Sequence, residues 1–299
     1  MATLLDFRRR IRSVKNTQQI TRAMKFISAA YLRRAQEAAM AARPYARELA
    51  RVLRSTMARI DEPQHALLAE RPEKNVLAIV LSGERGLAGA FNANILKKAS
   101  EFFRANKDKK ILIVPVGKKG RDSLRRAGFT FAGEYVGALS KVKFATAREI
   151  AALASELYIK EEIDAVYIIF SEFKTVMTAN LVVEKLLPVE PEREEPENKP
   201  DNRQENRKEE PQAQVDYIYE QPEEQILGKL LPRYIETQVL RAMLESSAAE
   251  YAARMTAMES ATKNAGDVIE GLTLHMNKVR QAAITKEIIE IVSGASYGT

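Results

Sequence analysis

The chain contains no cysteine, no tryptophan and only two histidines among 299 residues. Without cysteine there is no disulfide framework, thiolate nucleophile, redox switch or Cys-ligated zinc or iron–sulfur centre. The two histidines, His65 and His275, lie far apart. His65 falls in a polar stretch, and His275 sits beside an apolar helical stripe with no carboxylate one turn away, so both read as structural or solvated. No run approaches the ~18 apolar residues of a membrane span. Met1 is followed by Asp6 and Arg8 rather than by an apolar signal segment, so the chain is expected to stay in the compartment where it is made. Glycine is absent before Gly83 and proline before Pro44, so residues 3–43 contain no helix breaker.

What is present is charge, unevenly spread. The whole chain carries 47 Lys+Arg against 40 Asp+Glu, and 45% of its residues are hydrophobic, enough for a core. Residues 1–60 hold 14 basic and 3 acidic residues, whereas 188–225 hold 5 and 13. A basic arm raises nucleic acid, anionic lipid or an acidic protein as partners.

Periodicity divides the chain. Ile20, Met24, Ile27, Tyr31, Ala35, Ala38, Ala42, Tyr45, Leu49 and Val52 recur at steps of three or four and predict one long helix, bent or interrupted at Pro44. From Leu240 through Ser247, Tyr251, Met258, Ala265, Leu272 and Val279 to Ala283 the same spacing predicts a second long helix. A pattern this long argues for a coiled coil, and its many alanines and serines predict a close but weak seam. Between the helices, residues 75–82, 110–116 and 164–170 are short apolar runs separated by helical text, which reads as a parallel α/β sheet. Residues 173–187 and 215–219 are expected to add strands. Residues 188–214, with five prolines and few apolar side chains, are expected to form a solvated loop. The expected division is 1–60 first shaft helix, 61–74 linker, 75–187 Rossmann-like α/β foot, 188–214 acidic loop, 215–222 last strand and 223–299 second shaft helix. An inserted domain with neighbouring ends would set the two helices side by side and antiparallel, a rod on a foot.

Chemistry is sparse. Gly83, Gly86 and Gly89 follow a strand, but the spacing is GxxGxxG, not the dinucleotide GxGxxG, and no GxxxxGK[ST] exists, so a structural turn is the stronger reading. Glu161 and Glu162 look like an exposed helix end. Arg8, Arg9, Arg10, Arg12 and Lys15 interleave with Phe7, Ile11 and Val14 as the wet side of an amphipathic helix, without aromatic stacking platforms. Ile288, Ile289, Ile291 and Val292 lie around more than one helix face, too apolar for a free end in water, and predict a plug that enters a cavity of a partner assembly.

The segments LLDFRRRIRSVKNTQQITRAMKFISAAYLRRAQEA, ERGLAGAFN, LLPRYIETQ, YAARMTAMESATKNAGDVI and NKVRQAAITKEIIEIVSGA resemble the gamma subunit of F-type ATP synthases, the central rotor stalk, over effectively the whole chain. Gly83 and Glu84 stand where that family usually has Ser and Asp. The resemblance implies an α/β fold with a long antiparallel coiled coil of terminal helices and an inserted Rossmann-like domain. It implies a non-catalytic subunit without cofactor or metal, which couples proton flow through the c-ring to ATP synthesis or hydrolysis by rotating in a hexamer of alpha and beta subunits, with the epsilon subunit and c-ring at its foot. By the same resemblance Met24, Arg280, Gln281 and Thr285 face the beta subunit and Tyr217 and Glu220 the c-ring. No nucleic-acid partner or homo-oligomer is implied. The lack of a chloroplast-type cysteine pair excludes thiol control, and the lack of a transit segment favours a bacterium, where the resemblance places the chain on the cytoplasmic side of the membrane, held there through the c-ring. Two other readings stay open: a basic coiled-coil nucleic-acid-binding protein, and a Rossmann-like enzyme.

Overall fold

The computed structural model describes residues 3–57, 65–189 and 223–296. Helix α1 spans Leu4–Met57. There follow β1 Asn75–Leu81, α2 Phe91–Ala105, β2 Lys110–Val116, α3 Lys118–Arg126, α4 Phe144–Ile159, β3 Ala165–Phe173, β4 Ala179–Leu187 and the long helix α5 Glu223–Ser296. The chain forms two units. One is drawn from Met1–Leu32, Leu87–Gly89 and Tyr251–Thr299, the other from Arg33–Gly86 and Ala90–Glu250.

In the second unit the sheet order is β2-β1-β3-β4. The first three strands are parallel, as their apolar β-rich runs predict, and β1 and most of β3 are buried. The sheet is nevertheless mixed, because β4 pairs antiparallel with β3. The five residues between Phe173 and Ala179 are too few for a crossover, so the chain can only turn back as a hairpin. Helix α4 packs Ala147, Ile150, Ala151, Ala154 and Tyr158 inward at helical spacing. Helix α3 is not anticipated by the sequence: KKGRDSLRR carries little apolar text and a glycine. A Cβ at Gly120 would collide with the Ser82 hydroxyl, so the site requires glycine.

Four expectations need correction or fall outside view. Pro44 does not end α1, which continues through it. Pro44 and Met40, whose carbonyl loses its partner to the proline ring, are both exposed, so water can take the unpaired group. Val189, inside the loop expected over 188–214, is buried, and its N–H donates to the Leu67 carbonyl at 3.3 Å. The remainder of that loop and the strand expected at 215–219 lie outside the described residues.

The stripe expected on α1 is also displaced. Ile20, Ile27, Tyr31 and Tyr45 are exposed, and the buried positions are Phe7, Thr21, Ser28, Leu32, Ala39, Ala46, Leu49, Leu53 and Thr56. These fall on a seven-residue lattice, the 3.5-residue period of a coiled-coil seam. Ile20, Ile27, Tyr31 and Tyr45 lie one position off that lattice with about half of their surface in water, while threonines, serine and alanines share the seam with Phe7, Leu32, Leu49 and Leu53. On α5 the expected stripe fits better: Ser247, Met258 and Ala265 are buried, although Val268, the next position at that spacing, is exposed.

Candidate functional site

The glycine loop after β1 is filled by the chain itself. Gly83 N–H donates to Asn92 Oδ1 at 2.8 Å, and a Cβ on Gly83 would meet that oxygen at 2.9 Å and the Glu250 carboxyl at 3.0 Å. The first amides of α3, which a phosphate would use, are engaged. Lys118 N–H donates to Glu84 Oε2 at 3.1 Å and Gly120 N–H to Ser82 Oγ at 2.8 Å. The chain's own carboxylate stands where an anion would dock. Among the described residues no group of three or more His, Cys, Asp or Glu side chains could hold a metal ion. His65 accepts the Leu67 N–H at Nδ1, and burial lowers its pKa. The ring of His275 tilts against Phe7 at 5.0 Å.

In the first unit α1 and α5 pair antiparallel. Rising positions on α1 meet falling positions on α5: Phe7 with His275, Gln18 and Thr21 with Thr262, Lys25 with Glu259, Tyr31 with Tyr251. Thr21 and Thr262 share a hydroxyl hydrogen bond of 2.8 Å, a polar layer that favours one register of the seam. Beside it a groove of about 670 Å³ is lined by Gln18, Arg22, Phe26, Thr262 and Lys263. Met24 is half-buried on this stretch, and Lys25 is turned to Glu259.

Arg280, Gln281 and Thr285 are all exposed, and Thr285 donates its hydroxyl to the Gln281 carbonyl at 2.9 Å, which keeps the two on one face. Every described side chain from Ile284 to Ser293 is exposed, among them Ile288, Ile289, Val292 and Ile291, the last at 71%. Five large apolar side chains in water on one helix end are a patch that needs a cover. Met24 is not brought to this cluster, since its stretch of α1 pairs with α5 some twenty residues earlier. Tyr217 and Glu220 lie outside the described residues.

The family model described as ATP synthase matches residues 3–296. The chain is 48% identical over 301 residues to the ATP synthase gamma chain of Solibacter usitatus (strain Ellin6076), covering 99% of each. With the gamma chain of Pelotomaculum thermopropionicum it shares 45% identity over 296 residues, again covering 99% of each. The chain belongs to the ATP synthase gamma chain family.

Solved structures agree at the level of fold. A chain of the Euglena gracilis mitochondrial ATP synthase, solved with OSCP, F1 and c-ring in rotational state 3, matches with a TM-score of 0.64 at 20% identity, over 98% of this chain and 93% of that one. A chain of the Tetrahymena thermophila mitochondrial ATP synthase central stalk and c-ring matches with a TM-score of 0.59 at 23% identity, over 81% of this chain and 99% of that one. A gamma chain is the non-catalytic central stalk of the rotor, and nothing in these comparisons supports a nucleic-acid function for the basic first helix.

Sequence reasoning missed the charged pair that fastens α5 to α1, Arg43–Glu245, and the one that fastens α5 to the sheet, Arg241–Glu184. A signal was present. Arg241, Glu245 and Glu250 interrupt an otherwise Ala-, Leu- and Ser-rich run, and ionisable groups are rarely buried without partners.

Proposed function

We propose that α1 and α5 turn inside a hexamer of alternating alpha and beta subunits, and that rotation couples proton flow through a c-ring to ATP synthesis or hydrolysis there. In this reading residues 1–60 and 223–299 are the shaft, and 75–187 with 215–222 are the foot, joined by the 61–74 linker. The foot meets the epsilon subunit and, through Tyr217 and Glu220, the c-ring. Met24, Arg280, Gln281 and Thr285 meet the beta subunit. The chain sits at the cytoplasmic face of a bacterial membrane as a peripheral subunit held by the ring. No helix among the described residues is long and apolar enough to cross a membrane by itself.

The observation that carries this reading is the exposed apolar end of α5, where Ile288, Ile289, Ile291 and Val292 are 55–71% exposed. Leaving Ile288, Ile289, Ile291 and Val292 in water forgoes burial of about 1.5–3 kcal/mol per side chain. A surrounding bore supplies that burial, and a polar band at Arg280, Gln281 and Thr285 just before it offers groups that a carboxylate of the bore can pair with. The test is the double variant Ile288→Asn with Ile291→Asn, together with Arg280→Ala, in the reconstituted complex. The expected result is unchanged melting of the isolated chain, lowered turnover for Arg280→Ala, and weakened retention in the hexamer for the asparagine variant. Normal assembly and turnover in both would reject the bore reading.

A further inference from the structure

Inside the second unit, α5 carries a carboxylate that the rotor reading leaves unused. The Glu245 side chain is 4% exposed, amid Ala242, Met243, Ser246 and Ala249, all fully buried or nearly so. Its Oε1 accepts from Arg43 Nε at 2.9 Å and from Arg43 Nη2 at 2.8 Å. Its Oε2 accepts the backbone N–H of Phe173 at 3.2 Å, and Arg43 Nη2 also donates to the Phe173 carbonyl at 3.4 Å. One carboxylate therefore ties α1, α5 and the end of β3 together at a single point. One turn before it on the same face of α5, Arg241 Nη2 reaches both oxygens of Glu184 on β4 at 2.7 Å and lies over the Phe170 ring. The hairpin β3–β4 is thus keyed to α5 twice.

Stability alone is a poor reason for this arrangement. With Glu245 buried and the Arg43 side chain 38% exposed, the lost hydration of the carboxylate offsets much of what the pair returns, and an apolar pair of similar size often does as well. What charged hydrogen bonds add is direction. Ala242 and Met243 next to the joint, with Leu49, Leu53 and Val239, pack α1 and α5 into the core of the sheet domain. Such apolar contacts are non-directional, so by themselves they do not fix one orientation of a helix. A forked guanidinium on a fixed carboxylate does so.

We infer that Glu245, with Arg43, is a positioning residue for torque: it keys both shaft helices to the sheet so that rotation of one part is delivered to the other without slip. This rests on the rotor reading above. The residue's effect is on transmission under load.

Two variants in the complete, membrane-reconstituted complex test it. Arg43→Leu combined with Glu245→Leu keeps the joint filled and apolar while removing its direction. Glu245→Gln keeps shape and an acceptor for the Phe173 N–H while removing the charge. The readouts are ATP hydrolysis with an uncoupler present, and the steady ion gradient that hydrolysis sustains without one, each per assembled complex. The expected result is uncoupled hydrolysis within about twofold of wild type and a sustained gradient lowered by about threefold in both variants, the scale on which single members of a coupling network act. A merely structural role predicts the opposite for the double-leucine variant, which would hold the full gradient once folded. A wild-type gradient per complex in either variant overturns the inference. A wild-type chain that sustains no gradient with its partners overturns the rotor reading, and this inference with it.

Discussion

Glu73 shows how one half-buried side chain holds an edge of the sheet domain. Its carboxylate accepts from Lys109 at 2.7 Å and from the Tyr167 hydroxyl at 3.0 Å, with Lys185 at 3.3 Å, so the strand-flanking segments before β1 and β2 meet strands β3 and β4 at one acceptor. Burial pushes its pKa up, but the hydrogen bonds from Lys109, Tyr167 and Lys185 and the charge of Lys109 together outweigh it and hold the group below the usual carboxylate range. A carboxyl lowered on folding adds stability that is present above its unfolded pKa and is lost as pH falls through the lower folded value. Glu73→Gln should therefore cost about 1–2 kcal/mol at pH 7, the scale of hydrogen bonds to a charged group. Urea unfolding of wild type and variant should converge as pH drops from about 4.5 into the range where the folded carboxyl protonates. A gap that stays constant from pH 7 to acid would reject the assignment.

Helix α1 has two faces with opposite demands. Its buried lattice is made of small and polar residues punctuated by Leu32, Leu49 and Leu53, while Ile20, Phe26, Ile27 and Met40 stand in water, Ile27 at 55% exposure. Stability and recognition should therefore separate by face. Leu32→Ala is expected to lower the unfolding free energy of the isolated chain by about 2–3 kcal/mol, as buried leucine truncations do. Ile27→Gln should change it by less than about 0.5 kcal/mol yet weaken association with the alpha/beta hexamer. Equal losses of stability in both would mean that the exposed face is not exposed in solution. The Thr21–Thr262 layer belongs to the same logic, since a polar pair in a seam of small residues contributes register more than cohesion.

At the scale of the whole molecule, charge asymmetry is the remaining physical lever. Residues 1–60 carry 14 basic and 3 acidic side chains, and Arg8, Arg9, Arg10 and Arg12 are all exposed. A surface of one sign steers encounter with a complementary one and sets association rate more than final affinity. Raising the salt from about 50 to about 300 mM should slow association of this chain with the hexamer by roughly tenfold, because the Debye length shrinks below the range of steering. Dissociation and the melting temperature of the free chain should move little. An association rate indifferent to salt would show that the basic arm does not face an acidic wall.

Much of this protein was legible in its residues. The absence of cysteine and of a nucleotide fingerprint, the glycine-free start, the two long helical periods and the three apolar runs determined helices at both ends and an α/β sheet between them, because periodicity and breakers act locally. The apolar text of 288–292 announced an end that water cannot satisfy. Other features were decided only by three-dimensional packing. Which stripe of α1 is buried depends on a 3.5-residue seam with a second helix, where small threonines and serines fit better than Ile20 or Tyr31, and no count of hydrophobicity along one helix reveals that. The antiparallel β4 follows from a connection too short to cross over. The burial of Glu245 and its partners Arg43 and Phe173, 202 and 72 residues away, exists only once helix and strand are brought together. A charge in a sequence shows that a partner is needed, and only the fold determines which one answers.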